Sequence, residues 1–260
     1  MRSVRTSVRS FVIALAAAAL LGGGSALPAS PPSGAKPSAA VDVTFKGKSQ
    51  SRISKGFVLS LARPGNVVRG DVLVAGIAVR LGSPGQVIAP AGWRPIRGLT
   101  SRSRGANLTQ ITYYKVAAVI EPPTYRWHFA RPRGATGGLL VYAGVDGARP
   151  LLAHSGRATL NGRMILAPSV RTAERNVLVV GFFSGSGRGL LAPPRGMARR
   201  YRVAGAARVG VSAEAADLKL LGGASGAKVA RSSVVHRSAV GQLVALRPAG
   251  PGALGPVKAT

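Results

Sequence analysis

Cysteine is absent from this 260-residue chain, and only 7 Asp plus Glu and 3 His stand against 36 Lys plus Arg. Without cysteine there are no disulfides, no thiol catalysis, no cysteine-ligated zinc and no lipid-modified N-terminal cysteine. Seven carboxylates and three histidines, scattered along the sequence, leave little material for acid, base or metal chemistry. Uninterrupted apolar runs are also short. After the N-terminal segment none reaches the roughly 18 residues of a spanning helix. What is present is a hydrophobic fraction of 46%, 35 Gly, 18 Pro and a formal charge of +29. A chain this apolar can offset its ordering entropy by burial, so simple disorder is excluded and a very basic, β-leaning globular protein is expected.

The first ten residues, MRSVRTSVRS, carry Arg2, Arg5 and Arg9 and no acid, and the apolar run Phe11 to Leu21 follows. That order reads as a secretory signal peptide, with Gly24 and Ala26 supplying small side chains for cleavage after Ala26. A membrane anchor fits less well, because eleven helical residues span about 16 Å, roughly half of a bilayer core. Residues 27–40 (LPASPPSGAKPSAA) read as an extended Pro/Ser/Ala linker, 41–248 as the folded domain and 249–260 as a flexible tail. Loss of the leader arginines lowers the charge only to +26, so the basicity belongs to the folded part. The expected location is secreted or extracellular, in association with the cell envelope and without a covalent anchor.

Between residues 41 and 248, short Val-rich runs alternate with Gly, Pro, Asn and Ser, the pattern of strands and turns. Asp71 to Val79 is apolar on both alternating faces, as a strand covered on both sides would be. Thr124 to Ala130 instead alternates Tyr125, Trp127 and Phe129 with Thr124, Arg126 and His128, so one face is core and the other wet. Ala213 to Leu221 could form a turn or two of helix, but its surroundings favour strand.

The sequence also repeats itself. PAGW from Pro90 matches PRGM from Pro194, Lys115 of YYKVA matches Lys219 of DLKLL, and Leu139 of GGLLVY matches Leu243 of VGQLVAL, each 104 residues apart. DVLVAG and NVLVVG pair at 105. Four matches in nearly one register point to duplication. The expected fold is all-β: a jelly-roll-like antiparallel β-sandwich with an internal pseudo-repeat, one sandwich being preferred over two.

In this order GDVLVAGIAV, PAGWRPI, YYKVA with EPPTYRW, GGLLVYAGVD and VGQLVALRP resemble a widespread type of secreted bacterial β-sandwich module over residues 57 to 248. The resemblance implies a jelly-roll fold and an extracellular, non-catalytic role, and it supplies no catalytic residues to carry over. Arg stands here where Thr, Ser or Asp would be expected.

The chemical motifs fail on their spacing. Neither Ser184 nor Ser225 has glycine two residues before and after it, as a nucleophile elbow requires. Gly47-Lys48-Ser49 lacks the glycine five residues earlier, where Asp42 stands. Gly185, Gly187 and Gly189 read as a turn rather than a dinucleotide fingerprint. No two acids alternate on one strand, and Asp146 in GVDG reads as a turn cap. His128, His154 and His236 occur in unrelated contexts, so no metal and no cofactor are expected. Trp127, Tyr125 and Phe129 read as core; Trp93, Tyr113 and Tyr114 leave open a stacking platform for sugars or bases.

The arginines remain. Arg94, Arg97, Arg102 and Arg104 in WRPIRGLTSRSRG correspond to Arg195, Arg199, Arg200 and Arg202 in PPRGMARRYR, and together they are the candidate polyanion-binding residues. Compositional bias toward Arg is the competing explanation. The leading expectation is a secreted non-enzymatic binding or surface-association module for anionic cell-wall polymers or polysaccharides. The alternatives are a glycan-active hydrolase or lyase assembling Asp71, Asp146 or Glu174 across strands, and extracellular nucleic-acid binding, for which no specific motif exists.

Overall fold

A computed structural model describes residues 41–205 and 210–250; the leader, the linker, residues 206–209 and the tail beyond 250 lie outside the described residues. The first half contributes β1 (Thr44–Ala62), β2 (Val72–Val79), β3 (Val87–Ile88), β4 (Arg94–Ser101), β5 (Leu108–Val116) and β6 (Thr124–Ala143). The second contributes β7 (Leu151–Ala167), β8 (Arg171–Thr172), β9 (Val177–Ser186), β10 (Leu191–Ala192), β11 (Ala198–Val203), β12 (Val211–Leu220), β13 (Gly223–Ala224) and β14 (Lys228–Leu246). A single 3₁₀ turn at Pro84–Gln86 is the one helical element among the described residues. Every strand pairing is antiparallel.

Each half builds one six-stranded sheet on the same plan, and β8 and β13 of the second half pair apart from them as a small two-stranded sheet. The first runs β1-β6-β2-β5-β4 with β3 also on β6; the second runs β7-β14-β9-β12-β11 with β10 also on β14. Duplication is therefore visible in the topology. It is also visible in detail: a bulge places Ile96 between Pro95 and Arg97 on β4, and another places Arg200 between Arg199 and Tyr201 on β11. The turns before those strands match too. Gly92 and Gly196 both sit at φ 79°, and Trp93 and Met197 each donate an amide to the proline carbonyl three residues back. That φ is open to glycine at no steric cost, which is why PAGW and PRGM share it.

Two of the four sequence matches slip. Lys115 shares its face with Ile111 and Tyr113, whereas Lys219 shares its face with Ala213, Ala215 and Asp217 on the other side of its sheet. Likewise an offset of 105 would carry Leu73, which faces the outer core of its half, onto Leu178, which faces the opposite sheet. One residue of slip exchanges the faces of a strand, so the similarity of residue type there follows composition rather than position.

The sheets pack face to face with their orders reversed, β1 against β11 and β4 against β7, which defines a pseudo-twofold axis parallel to the strands. Between them lies an inner core of Val72, Val74, Leu140, Tyr142, Leu178, Val180, Phe182, Tyr201 and Val244. Gly76 leaves room for the Phe182 ring and Gly138 for Tyr201; a Cβ at either would collide. Each half also curls its long strands over the outer face of its own sheet. Leu59 of β1 and Tyr125, Trp127 and Phe129 of β6 cover Leu73, Ala75 and Ile77 of β2, and Ile165 of β7 and Ala230 of β14 cover Val177 and Val179 of β9. The two-faced apolar pattern of β2 and β9 thus has two cores to serve. The described residues belong to one compact unit.

Candidate functional site

Acids come first, because their scarcity makes each one informative. Asp42 pairs with Lys219 at 2.7 Å, Asp71 with Lys46 at 2.6 Å, Glu121 with Lys115 at 2.7 Å and Asp217 with Arg200 at 2.7 Å. Glu174 pairs with Arg247, and Asp146 accepts the Ala148 and Arg149 amides as a turn cap. Glu121 also accepts the Ala118 amide and the Tyr125 hydroxyl; burial raises its pKa, but these bonds and Lys115 more than offset that and hold it below the ordinary value. Among the described residues only Glu214 lacks a close partner. Its side chain is fully buried with no hydrogen bond to either oxygen, Arg199 lies 4.0 Å away, and burial pushes its pKa up to about 8. Among the described residues no three His, Asp or Glu side chains come together as a metal would need.

The aromatic candidates are core. Trp93 is 6% exposed and packs edge-on against Tyr125 and Trp127 with ring centroids 5.2 Å apart in both pairs. Tyr113 is buried beside Trp127, and only Tyr114 is partly open. No stacking platform is available from these rings.

The eight arginines divide. Arg94 and Arg97 lie on β4 and Arg199, Arg200 and Arg202 on β11, the edge strands at opposite sides of the sandwich, so the pseudo-twofold relates the two groups without bringing them together. Arg200 has a structural role: its Nε donates to Asp217, and its guanidinium lies 4.2 Å from the centre of the Phe45 ring across the inter-sheet junction. Arg97 has a buried Nε without a partner, while its carbonyl accepts from Gln242. Arg94 borders a small hollow of about 260 Å³ with Lys115. Arg195 and Arg202 are exposed, the first in the turn before β11. Arg102 and Arg104 sit in the β4–β5 turn, at the end of the sandwich where β2 and β9 run out.

That end carries the feature the sequence reading missed. Two adjoining clefts, of about 420 and 580 Å³, share Arg80, Gly105 and Ala106 as common walls. The first is completed by Lys55, Leu81, Pro132 and Arg133, the second by Ser186, Arg188, Val234, Val235 and Arg237. Arg80 follows β2 and Arg188 follows β9; Arg133 and Arg237 come from the bent long strands β6 and β14. Each half therefore sends two arginines to the place where the pseudo-twofold axis leaves the molecule. Among the described residues, none of these four, nor Lys55, has a carboxylate within ion-pair distance.

The backbone around the clefts is pinned. The Arg80 side chain donates to the Gly105 carbonyl at 2.7 Å and its amide donates to Gly134. Half-buried without a counter-charge, Arg80 has its pKa lowered by desolvation, the mark of a cation that an incoming anion would relieve. Behind the second cleft, buried His236 hydrogen-bonds through Nδ1 to the Ser186 carbonyl and through Nε2 to the Ser232 hydroxyl, both at 2.8 Å. His128 and His154 are exposed. A usable signal did exist in the sequence: Arg133 and Arg237 are 104 residues apart, the interval of the repeat. Compared with known proteins, the chain matches no family model, no curated protein and no solved structure.

Proposed function

We propose that the chain is a secreted, non-catalytic binding module that associates with anionic polymers of the cell envelope, as its motif order and leader suggest. One observation carries the reading: Lys55, Arg80, Arg133, Arg188 and Arg237 converge on joined clefts with no carboxylate among them. Like charges gathered around a concavity repel one another, and a bound polyanion turns that cost into attraction. Guanidinium groups suit the task, because they stay charged and bind phosphate or carboxylate through two donors at once. The acids point the same way. Asp71, Asp146 and Glu174, the carboxylates a glycan-active enzyme would need, are held by Lys46, by backbone amides and by Arg247.

Retention of residues 27–260 on immobilised anionic polymers tests the reading. Binding should weaken steeply as salt rises, because each contacted charge releases counterions. Indifference to salt, or failure to bind at low ionic strength, would refute it. N-terminal sequencing of the exported protein should return Leu27 or a near neighbour, and a cytoplasmic chain beginning at Met1 would remove the premise of secretion.

A further inference from the structure

We infer that the joined clefts hold an internal stretch of a linear phosphodiester polymer whose repeating unit is aliphatic and carries no aromatic base. This rests on the polymer-binding reading above and adds the site and the ligand chemistry. Three features of the walls select it.

The first is the shared wall. Because Arg80, Gly105 and Ala106 border both clefts, the two form one groove over the Arg80 side chain, with Arg133 on one side and Arg188 and Arg237 on the other. Each cleft falls within the size range of small-molecule sites. A chain lying across Arg80 would place successive anionic groups within reach of arginines from both halves, whereas a monomer would satisfy one cleft only. The second is the composition between the charges. Leu81, Ala106 and Pro132 line one cleft, and Val234 and Val235, both solvent-exposed, line the other. Apolar surface between fixed cations fits a ligand in which charge alternates with hydrocarbon. The third is the lack of any Phe, Tyr, Trp or His among the described residues of either wall. Single-stranded nucleic acid is usually held by base stacking on aromatic side chains, and sugar rings by similar faces. Both tryptophans here are in the core.

The test compares three polymers of matched charge: a poly(glycerol phosphate), an oligothymidylate and a polygalacturonate. The intact mature chain should bind poly(glycerol phosphate) most tightly, and a single glycerol phosphate unit should compete poorly. Arg188→Gln, Arg237→Gln and Lys55→Gln combined, all exposed positions, should lower the affinity by about tenfold or more and flatten its salt dependence. The same charge removed at Arg69, Arg171 and Arg175 should cost under about threefold. Val235→Asn should weaken poly(glycerol phosphate) while leaving inorganic polyphosphate, which has no carbon, unchanged. If both triple variants lose equally, the groove is not the site although polymer binding stands. If the oligothymidylate or the polygalacturonate binds as tightly as poly(glycerol phosphate), the ligand chemistry is overturned. If the intact chain binds none of the three at low salt, the binding reading itself fails.

Discussion

The two halves share a plan and differ in what fills it. The outer core of the first half holds five aromatic residues, Trp93, Tyr113, Tyr125, Trp127 and Phe129. The outer core of the second holds one, Phe183, among Ala167, Ala216, Ala230, Ala239 and Ala245. Aligned through their paired neighbours, Trp127 corresponds to Ala230, Trp93 to Met197 and Ile111 to Glu214. One copy kept a stiff aromatic core and the other tolerates small side chains and a buried carboxylate. What compensates the second half is the inner core, where Phe182 and Tyr201 enter slots opened by Gly76 and Gly138 of the first. Burying a ring of that size contributes about 1.5–3 kcal/mol. The second half thus depends on the first for its order.

The largest effect should come from removing the feature that distinguishes the first half. Trp127→Ala should cost about 3–5 kcal/mol in urea unfolding, because the ring is fully buried and its Trp93 and Tyr113 neighbours cannot all collapse into the space. Since the halves share the inner core, the calorimetric transition of the variant should move down as one. Splitting into two transitions, with stable folding of a fragment ending near Pro150, would show two independent domains.

A smaller loss is expected at the junction itself. The Tyr142 hydroxyl donates to Asp217 at 2.8 Å, and Asp217 also accepts from Arg200, so the bond ties β6 of one half to β12 of the other. Tyr142→Phe leaves the packing and removes the hydrogen bond to a charged acceptor, worth about 1.5–3 kcal/mol. A change within the error of urea unfolding would mean that Arg200 alone carries the contact.

Glu214→Gln should go the other way. A carboxyl whose pKa is raised to about 8 in the fold favours folding at acid pH, and this advantage is lost as pH rises from the unfolded value of 4.5 to about 8. The variant should therefore be more stable than the parent at pH 8, by up to a few kcal/mol, and should lose that advantage toward pH 4.5. Equal stability at pH 8 would place the carboxylate within effective reach of Arg199 and Arg202.

How far these features were legible depends on the kind of signal each leaves. Strand periodicity reports burial directly, so the two-faced Val72–Val79 strand, the alternation through Tyr125, Trp127 and Phe129, and the antiparallel sandwich could all be read from the chain. The repeat could be read as a repeat, but residue type could not report the one-residue slips at Lys219 and Leu178, because Val, Leu and Lys recur on both faces. The groove was hidden for a different reason. Arg80 and Arg188 follow strands without any local cluster, and only the pseudo-twofold packing brings them together, whereas the dense runs at Arg94–Arg104 and Arg195–Arg202 divide between the opposite edge strands β4 and β11 and the turns beside them.

The smallest expected effect concerns the second cleft alone. His236 has no histidine counterpart in the first half: its neutral ring donates from Nδ1 to the Ser186 carbonyl and accepts at Nε2 from Ser232, whose oxygen also accepts the Val234 amide. Burial lowers its pKa, although the Ser186 bond acts against that shift. A histidine with a lowered pKa in the fold stabilises it fully above the unfolded value near 6.5, and loses that contribution as pH falls through the folded value. Protonation would oppose the Ser232 donation and loosen the segment carrying Ser186 and Arg188. Hydrogen exchange at residues 186–189 should therefore speed up between pH 7 and pH 5, after correction for intrinsic rates, while the corresponding residues 80–83 of the first half keep their protection. His236→Gln should abolish the difference. Equal acceleration in both halves would show that acid acts on the sandwich as a whole rather than through this ring.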